Sequence, residues 1–339
     1  MRQAFEALSL RFGRNAVGLS EYFDYGIWDP ALTAVQRREF IGWKKSQELD
    51  RTLNGEHFRA LANDKLINSL ILKSQGFPIP RPIATFSRQR RRIGDEQILG
   101  TRDEVRDFLS RAVFPFFVKP IWGSNGKDAV GVAAWEDSRL RLLDGSTLAF
   151  DEFFSPFNFL PYRGMLFQEC LEPHPAIREI CGGSAISCVR MICFVTRSGP
   201  VLHTAFWKIV TGGNMQDNFS HGDYGNCLGS VDLSTGAITH AIARMGFDGA
   251  VTSHPTTGKP LLGFVLPDWG RAVELVKRAT GHFPGLGIQN WDVALCTGGP
   301  VLVELNTESE LAVPQAINHR GLMDRRLQDI LRDIEETGD

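Results

Sequence analysis

The most regular alternation of apolar and polar positions lies near the end of the chain. There WDVALC and PVLVELN flank Thr297-Gly-Gly299 with a period of two on both sides, the pattern of a β-hairpin. With three unpaired turn residues, Cys296 stands opposite Pro300, Val293 opposite Val303 and Asp292 opposite Glu304, and Asn306 shares a face with Glu304. On this register Val293, Leu295, Val301, Val303 and Leu305 point into a core. A second hairpin is predicted from Val189–Thr196 and Val201–Ile209, turning at Arg197-Ser-Gly199. Met165–Cys170 reads as a further strand. Phe114–Pro120 and Val130–Ala134 read as two strands joined by the small-residue loop Gly123-Ser-Asn-Gly-Lys127, and Ile83–Phe86 is a short apolar stretch.

Helical patterning dominates elsewhere. Pro30 to about Asn54 is rich in helix formers and predicts one or two helices, so the first sixty residues look helical. Leu66, Ile67, Leu70 and Ile71 form the stripe of another helix, capped by Asn63 or Asp64 and stopped by Gly76 and Pro78, with Lys65 in its first turn. Thr101 with Glu104 marks a capping box for a helix over Thr101–Ala112, and a last helix is predicted over about Asp268–His282.

Composition narrows the function classes. A chain of 339 residues, 43% hydrophobic, can bury a large core in two or three lobes. Its 37 Lys+Arg against 39 Asp+Glu create no global field toward nucleic acid or an anionic membrane, so small molecules are the expected partners. The basic run Arg88–Arg92 lacks the interleaved aromatics of a base-stacking surface and reads as a solvated loop. Six cysteines without a Cys-x-x-Cys pair suit reduced, buried thiols. With no signal peptide and no apolar run long enough to cross a bilayer, a cytoplasmic protein with no membrane partner is expected.

The hairpin carries the clearest chemistry. Cross-strand neighbours lie about 4.5–5.5 Å apart at Cβ, so Asp292, Glu304 and the Asn306 amide converge. Two carboxylates side by side repel unless a cation joins them, and an all-oxygen set suits Mg²⁺ bridging nucleotide phosphates better than zinc. A paired-carboxylate acid/base site, as in a glycosidase, is a lesser alternative, and a solvated hairpin face is the plain one.

The spacing of Asp64-Lys65, Val118-Lys119-Pro120 with its glycine loop, Gln168-Glu169, Asp292 and Glu304-x-Asn306 resembles the ATP-grasp superfamily. More narrowly the chain resembles the sugar-transfer-associated ATP-grasp family, related to α-L-glutamate ligases. That match rests on Glu21-Tyr-Phe-Asp-Tyr25, His174-Pro175, Asp217-Asn218-Phe219, His254-Pro-Thr-Thr-Gly258 and Gly287-Ile-Gln-Asn-Trp-Asp292. The resemblance implies an α+β protein in which ATP and Mg²⁺ lie between two α/β lobes. Lys65 and Lys119 match the lysines on the α- and β-phosphates. Ser124, Asn125 and Gly126 match the phosphate-covering loop. Gln168, Glu169 and Leu171 match the strand that carries the adenine. Glu172 and Glu179 are both in reach of the ribose, and Glu179 is taken with the nucleotide set. Arg190, Lys208 and Asn218 match groups facing the γ-phosphate and the charge of an acyl phosphate. Asp292, Glu304 and Asn306 match the metal ligands.

The division expected is a helical segment over 1–60, a smaller lobe over 61–165 and a larger one over 166–339. The activity implied is ADP-forming ligation of a small carboxylate, such as a sugar acid, to an amine or amino acid. A small-molecule kinase on the same fold is the alternative. Gly222-Asp223 stands where the wider pattern has two glycines, and the helical N-terminus replaces the usual preceding α/β domain. His221 and His254 lie in loops where a histidine more often bonds locally.

Overall fold

The structure, a computed structural model, describes residues 2–91, 94–123, 128–155, 164–246 and 249–336. Two sheets organise it. The smaller lobe holds β1 (Pro82–Phe86), β2 (Gln97–Leu99), β3 (Phe116–Pro120), β4 (Val130–Glu136), β5 (Arg139–Leu142), β6 (Thr147–Ala149) and β7 (Met165–Glu169) in the order β2-β1-β7-β3-β4-β5-β6. The larger lobe holds β8 (Val189–Thr196), β9 (Gly199–Ile209), β10 (Cys227–Val231), β11 (Ile238–Ile242), β12 (Ile288–Cys296) and β13 (Gly299–Asn306) in the antiparallel order β11-β10-β9-β8-β12-β13. β7 lies between β1 and β3 in the smaller sheet, although a division at residue 165 assigns it to the larger lobe. Pairing with strands this distant in sequence leaves no local signature.

The N-terminal segment is helical as expected: α1 (Arg2–Arg11), α2 (Leu19–Asp24), α3 (Ala34–Arg38), α4 (Trp43–Leu53) and α5 (Arg59–Asn63). The break between α3 and α4 falls at Gly42, where a Cβ would sit 2.2 Å from the Ala16 carbonyl oxygen, so the chains can cross only at a glycine. α6 (Lys65–Ser74) is capped by Asp64, whose carboxylate accepts from the N–H groups of Leu66 and Ile67. α7 (Arg102–Arg111) has the Thr101/Glu104 capping box. With α8 (Phe150–Phe154), α7 covers one face of the smaller sheet through Val105, Phe108, Phe116, Phe153 and Phe167. α9 (Pro175–Cys181) starts after His174, whose Nδ1 accepts from Ala176 N, which gives that histidine a capping role.

Alternation along the large sheet sorts its strands onto two faces. Met191, Cys193, Trp207, Trp291, Val293 and Leu305 join α10 (Trp269–Thr280) in one core. Ile192, Phe194, Phe206 and Ile288 meet Leu49 of α4, Ile317 of α11 (Ala312–Asn318) and Leu327 of α12 (Arg325–Glu335) on the other. Arg190, Lys208 and Asp292 fall in the second alternation, on the face away from α10.

The hairpin departs from its expected register in two places that cancel. Cys296 pairs with Gly299 and Val293 with Leu302, because only Thr297 and Gly298 form the turn. A bulge between Asp292 and Val293 then restores Asp292 opposite Glu304. One consequence is that Leu302 and Leu305 enter the α10 core, whereas Val301 and Val303 pack with Cys188, Ala294 and Cys296 on the opposite side.

Candidate active site

Arg190 and Asp292 are direct cross-strand partners on β8 and β12. Arg190 donates from Nε to Asp292 Oδ1 at 2.6 Å and from Nη2 to Oδ2 at 2.9 Å, a two-pronged charge-assisted contact. Its third arm, Nη1, donates to Glu310 Oε2 at 2.9 Å. Lys208 Nζ adds a bond to Asp292 Oδ2 at 3.1 Å and another to Asp217 Oδ1 at 3.0 Å, while Asp217 Oδ2 accepts from Cys188 N at 2.9 Å. Burial alone would raise the Asp292 carboxyl, but Arg190 and Lys208 outweigh it and hold the group well below the usual carboxylate range. For Lys208, burial would depress the ammonium, and Asp217 and Asp292 instead push it above its ordinary value.

The smaller lobe approaches the same strands with two lysines. Lys65, at the start of α6, ion-pairs with Glu304 Oε1 at 3.0 Å and donates to the Gly123 carbonyl at 2.5 Å. Lys119, near the end of β3, donates across the cleft to the Val303 carbonyl at 3.3 Å. No described carboxylate is within ion-pairing distance of it, and burial pushes it down to about 8, with the attraction of Glu304 only partly offsetting.

The remaining expected residues are less concentrated. Gln168 is buried on β7, Glu169 accepts from Arg81 N at 2.9 Å, and Leu171 packs with the Cys188 cluster. Asn218 follows Asp217, and its carbonyl accepts from Asn226 Nδ2 at 2.7 Å. Glu179 lies exposed on α9 against Lys259 at 2.8 Å, and Glu172 against Arg178 at 2.7 Å. Ser124, Asn125 and Gly126 lie outside the described residues. His254 is buried, with Nε2 on the Val210 carbonyl at 2.9 Å and Nδ1 accepting from Thr256 N and Thr257 N, a structural role.

Among the described residues no group of three His, Cys, Asp or Glu side chains could hold a metal ion. The donor set is instead two carboxylates and an amide. Asn306 Nδ2 is buried with no hydrogen-bond partner, so exchanging its amide N and O would replace an orphaned donor by an acceptor beside Glu304 on β13. On that observation Glu304 and Asn306 fit a hard divalent cation, whereas both oxygens of Asp292 already accept from Arg190 and Lys208.

The sequence pattern of the sugar-transfer associated ATP-grasp family matches residues 44–332. The chain belongs to that family. It therefore has the ATP-grasp fold, with Glu21–Tyr25 lying ahead of the matched region. No curated protein matches the sequence. Solved structures similar to it include D-alanine–D-alanine ligase from Bacillus anthracis, at 13% identity and a TM-score of 0.42 over 86% of this chain and 77% of that one. L-amino acid ligase from Bacillus licheniformis aligns at 13% identity and 0.47, over 85% of this chain and 54% of that one. Phosphoribosylamine–glycine ligase from Thermotoga maritima aligns at 13% and 0.46, over 82% and 56%. The chain thus spans little more than half of the latter two.

Several participants escape a sequence reading. Glu310 sits in a loop and meets Arg190 only in the fold, and Asp217, although part of a noted motif, gave no sign of its partner Lys208. Arg91 ion-pairs with Asp64 at 2.7 Å, so part of the basic run is tied down rather than solvated. Ser46 and Asp50 on the buried side of α4, with Asn54 just past its end, clasp the segment after Asn306: Ser46 Oγ donates to the Ser309 carbonyl at 2.7 Å, Asp50 accepts from Ser309 N at 2.9 Å, and Asn54 Nδ2 donates to the Thr307 carbonyl at 3.1 Å. Their fourfold spacing was the available signal.

Proposed function

We propose that this ATP-grasp protein is an ADP-forming carboxylate–amine ligase that holds ATP between its lobes. The observation that carries the reading is the meeting of Lys65 and Lys119 from one lobe with Glu304 and Val303 of the other, beside Arg190 and Lys208 on Asp292. Four cations there face the four carboxylates Asp217, Asp292, Glu304 and Glu310. A polyphosphate entering such a balanced cleft by itself would leave it strongly negative, which favours entry together with divalent cations. Asp292, Glu304 and Asn306 would hold Mg²⁺, Asp292 by exchanging bonds from Arg190 and Lys208 for the ion, whose chemistry is to neutralise and orient the phosphates.

In this reading Lys65 and Lys119 exchange their protein oxygens for phosphate oxygens. Gln168, Glu169 and Leu171 take the adenine, and Glu179 would leave Lys259 to accept from the ribose hydroxyls. Arg190 and Lys208 stabilise charge at the transferring phosphoryl group and at the acyl carbon attacked by the amine, and Asn218 contributes from the neighbouring loop. A sugar acid and an amino acid are the substrate classes suggested by the family's name and its kinship to glutamate ligases, which is analogy. We place the reaction in the cytoplasm.

The test is ADP release from Mg-ATP with carboxylates and amines supplied singly and in pairs, the products weighed by mass spectrometry. A product lighter by one water than the pair supports the ligase. A phosphorylated single substrate overturns it in favour of a kinase.

A further inference from the structure

Apolar side chains stand exposed unevenly over the molecule. Of the fourteen large hydrophobic side chains exposed among the described residues, seven fall within the first 43 positions: Phe5, Leu8, Phe12, Leu19, Phe23, Val35 and Trp43. That stretch precedes the family match, which begins at residue 44. Phe5 and Phe12 are 78% and 83% exposed, values that leave most of each ring in solvent.

α1 is apolar on two sides. Ala7 and Leu10 pack inward with Tyr22, Tyr25 and Phe40. Phe5, Leu8 and Phe12, at helical spacing, form a separate outward stripe about 10 Å long. A helix apolar on both sides is expected to be covered on both.

The charges around this stripe say what covers it. Between residues 3 and 45 the exposed charged side chains are all basic, Arg11, Arg14, Arg38 and Lys44, and the next exposed acid, Glu48, is paired with Lys45 at 2.7 Å. The acids of the stretch, Glu6, Glu21, Asp24, Asp29 and Glu39, are all partly buried. Glu6 is neutralised by Arg37 at 2.9 Å, and Glu21 accepts from Trp43 N at 2.7 Å. None of the four exposed cations has an ion pair with a described residue. They gather at the C-terminal end of α1, because Asn15 donates to the Arg38 carbonyl at 2.7 Å and its own carbonyl accepts from Gly42 N at 2.8 Å. Those two bonds draw Arg38, Trp43 and Lys44 toward Phe12 and Arg14.

Exposed aromatic and aliphatic side chains beside unpaired cations match the interface of an anionic bilayer, where rings enter the headgroup boundary and arginines meet phosphates. We infer that the α1 face docks the enzyme on an anionic lipid surface, lying on the membrane rather than crossing it. No described helix is long and apolar enough to cross one. The near-neutral total charge of the chain permits this, because the attraction is local and falls off within a Debye length.

The test is co-sedimentation with vesicles of phosphatidylcholine alone or with about a third phosphatidylglycerol. The wild type should bind the mixed vesicles, release in high salt, and bind phosphatidylcholine far less. Phe5→Ser with Phe12→Ser should reduce binding at least about tenfold, and Arg11→Gln and Arg14→Gln about fivefold each. All four sites are exposed, so thermal melting should be unchanged in every variant. Failure of the wild type to bind anionic vesicles overturns the inference, as does binding that these variants leave intact. A concentration-dependent dimer abolished by Phe12→Ser, without vesicle binding, also overturns it and assigns the face to a second copy. None of these readouts involves ATP, so the outcome is independent of the ligase reading.

Discussion

Lys119 and Lys208 are both buried lysines in one cleft, and burial governs the first but not the second. Lys208 has two carboxylates within hydrogen-bond distance and is driven above its ordinary value. Lys119 has a single carbonyl at 3.3 Å and is driven down to about 8. The larger lobe therefore carries a charge-matched network, with Arg190 and Lys208 both bonded to Asp292. The smaller lobe presents an ammonium, Lys119, with no described carboxylate within ion-pairing distance. On the proposed function that difference separates the groups that shape the site from the group that gains most from an arriving phosphate.

The comparison breaks first at Asp292. Replacing it with alanine leaves Arg190 and Lys208 buried with one carboxylate each, so unfolding in urea should show a loss of about 3–5 kcal/mol. Turnover of ATP should vanish with it. Lys119→Met removes a cation that burial already penalises, so the folded protein should be no less stable. ATP should nevertheless bind more weakly by about 1.5–3 kcal/mol, roughly ten- to a hundredfold, measured by calorimetry. Equal stability losses at the two positions would erase the distinction.

A pH series sharpens it. The ordinary lysine value is 10.5 and Lys119 lies near 8, so between these the unfolded chain holds more protons than the folded one. Stability should rise with pH across that window, by at most about 1.4 kcal/mol per unit, and Lys119→Met should remove that component. The smallest effect concerns Asp50, which burial raises from 3.8 to about 6 against its bonds to Ser309. Here the folded chain holds the extra proton, so stability should fall as pH rises from 3.8 to 6, and Asp50→Asn should flatten that slope in urea titrations.

What the sequence disclosed followed the range of the interactions. α6 and α7 were legible because their caps lie within three residues of the helices they start, and the hairpin because its alternation is local. The pairing of Asp292 with Glu304 emerged although the turn is one residue shorter than expected, since the bulge at Val303 compensates and has no signature of its own. α12, beyond the last helix expected, carries Leu327, Ile330, Leu331 and Ile334 at helical spacing, a stripe that is readable in the sequence. The partners of Arg190 could not be read in the same way, because Asp292 lies 102 residues away and Glu310 lies 120. Arg190 itself was visible as a lone cation in the apolar strand Val189–Val195, an exception whose cost implies a partner without naming it.

The most direct test of the central claim is calorimetric titration of ATP with Mg²⁺ present and withheld, in the wild type and in Glu304→Gln. Mg²⁺ should tighten ATP at least about tenfold in the wild type and give no such gain in the variant. An equal gain in both would contradict the placement of the metal, and with it the nucleotide phosphates, on the β12–β13 hairpin.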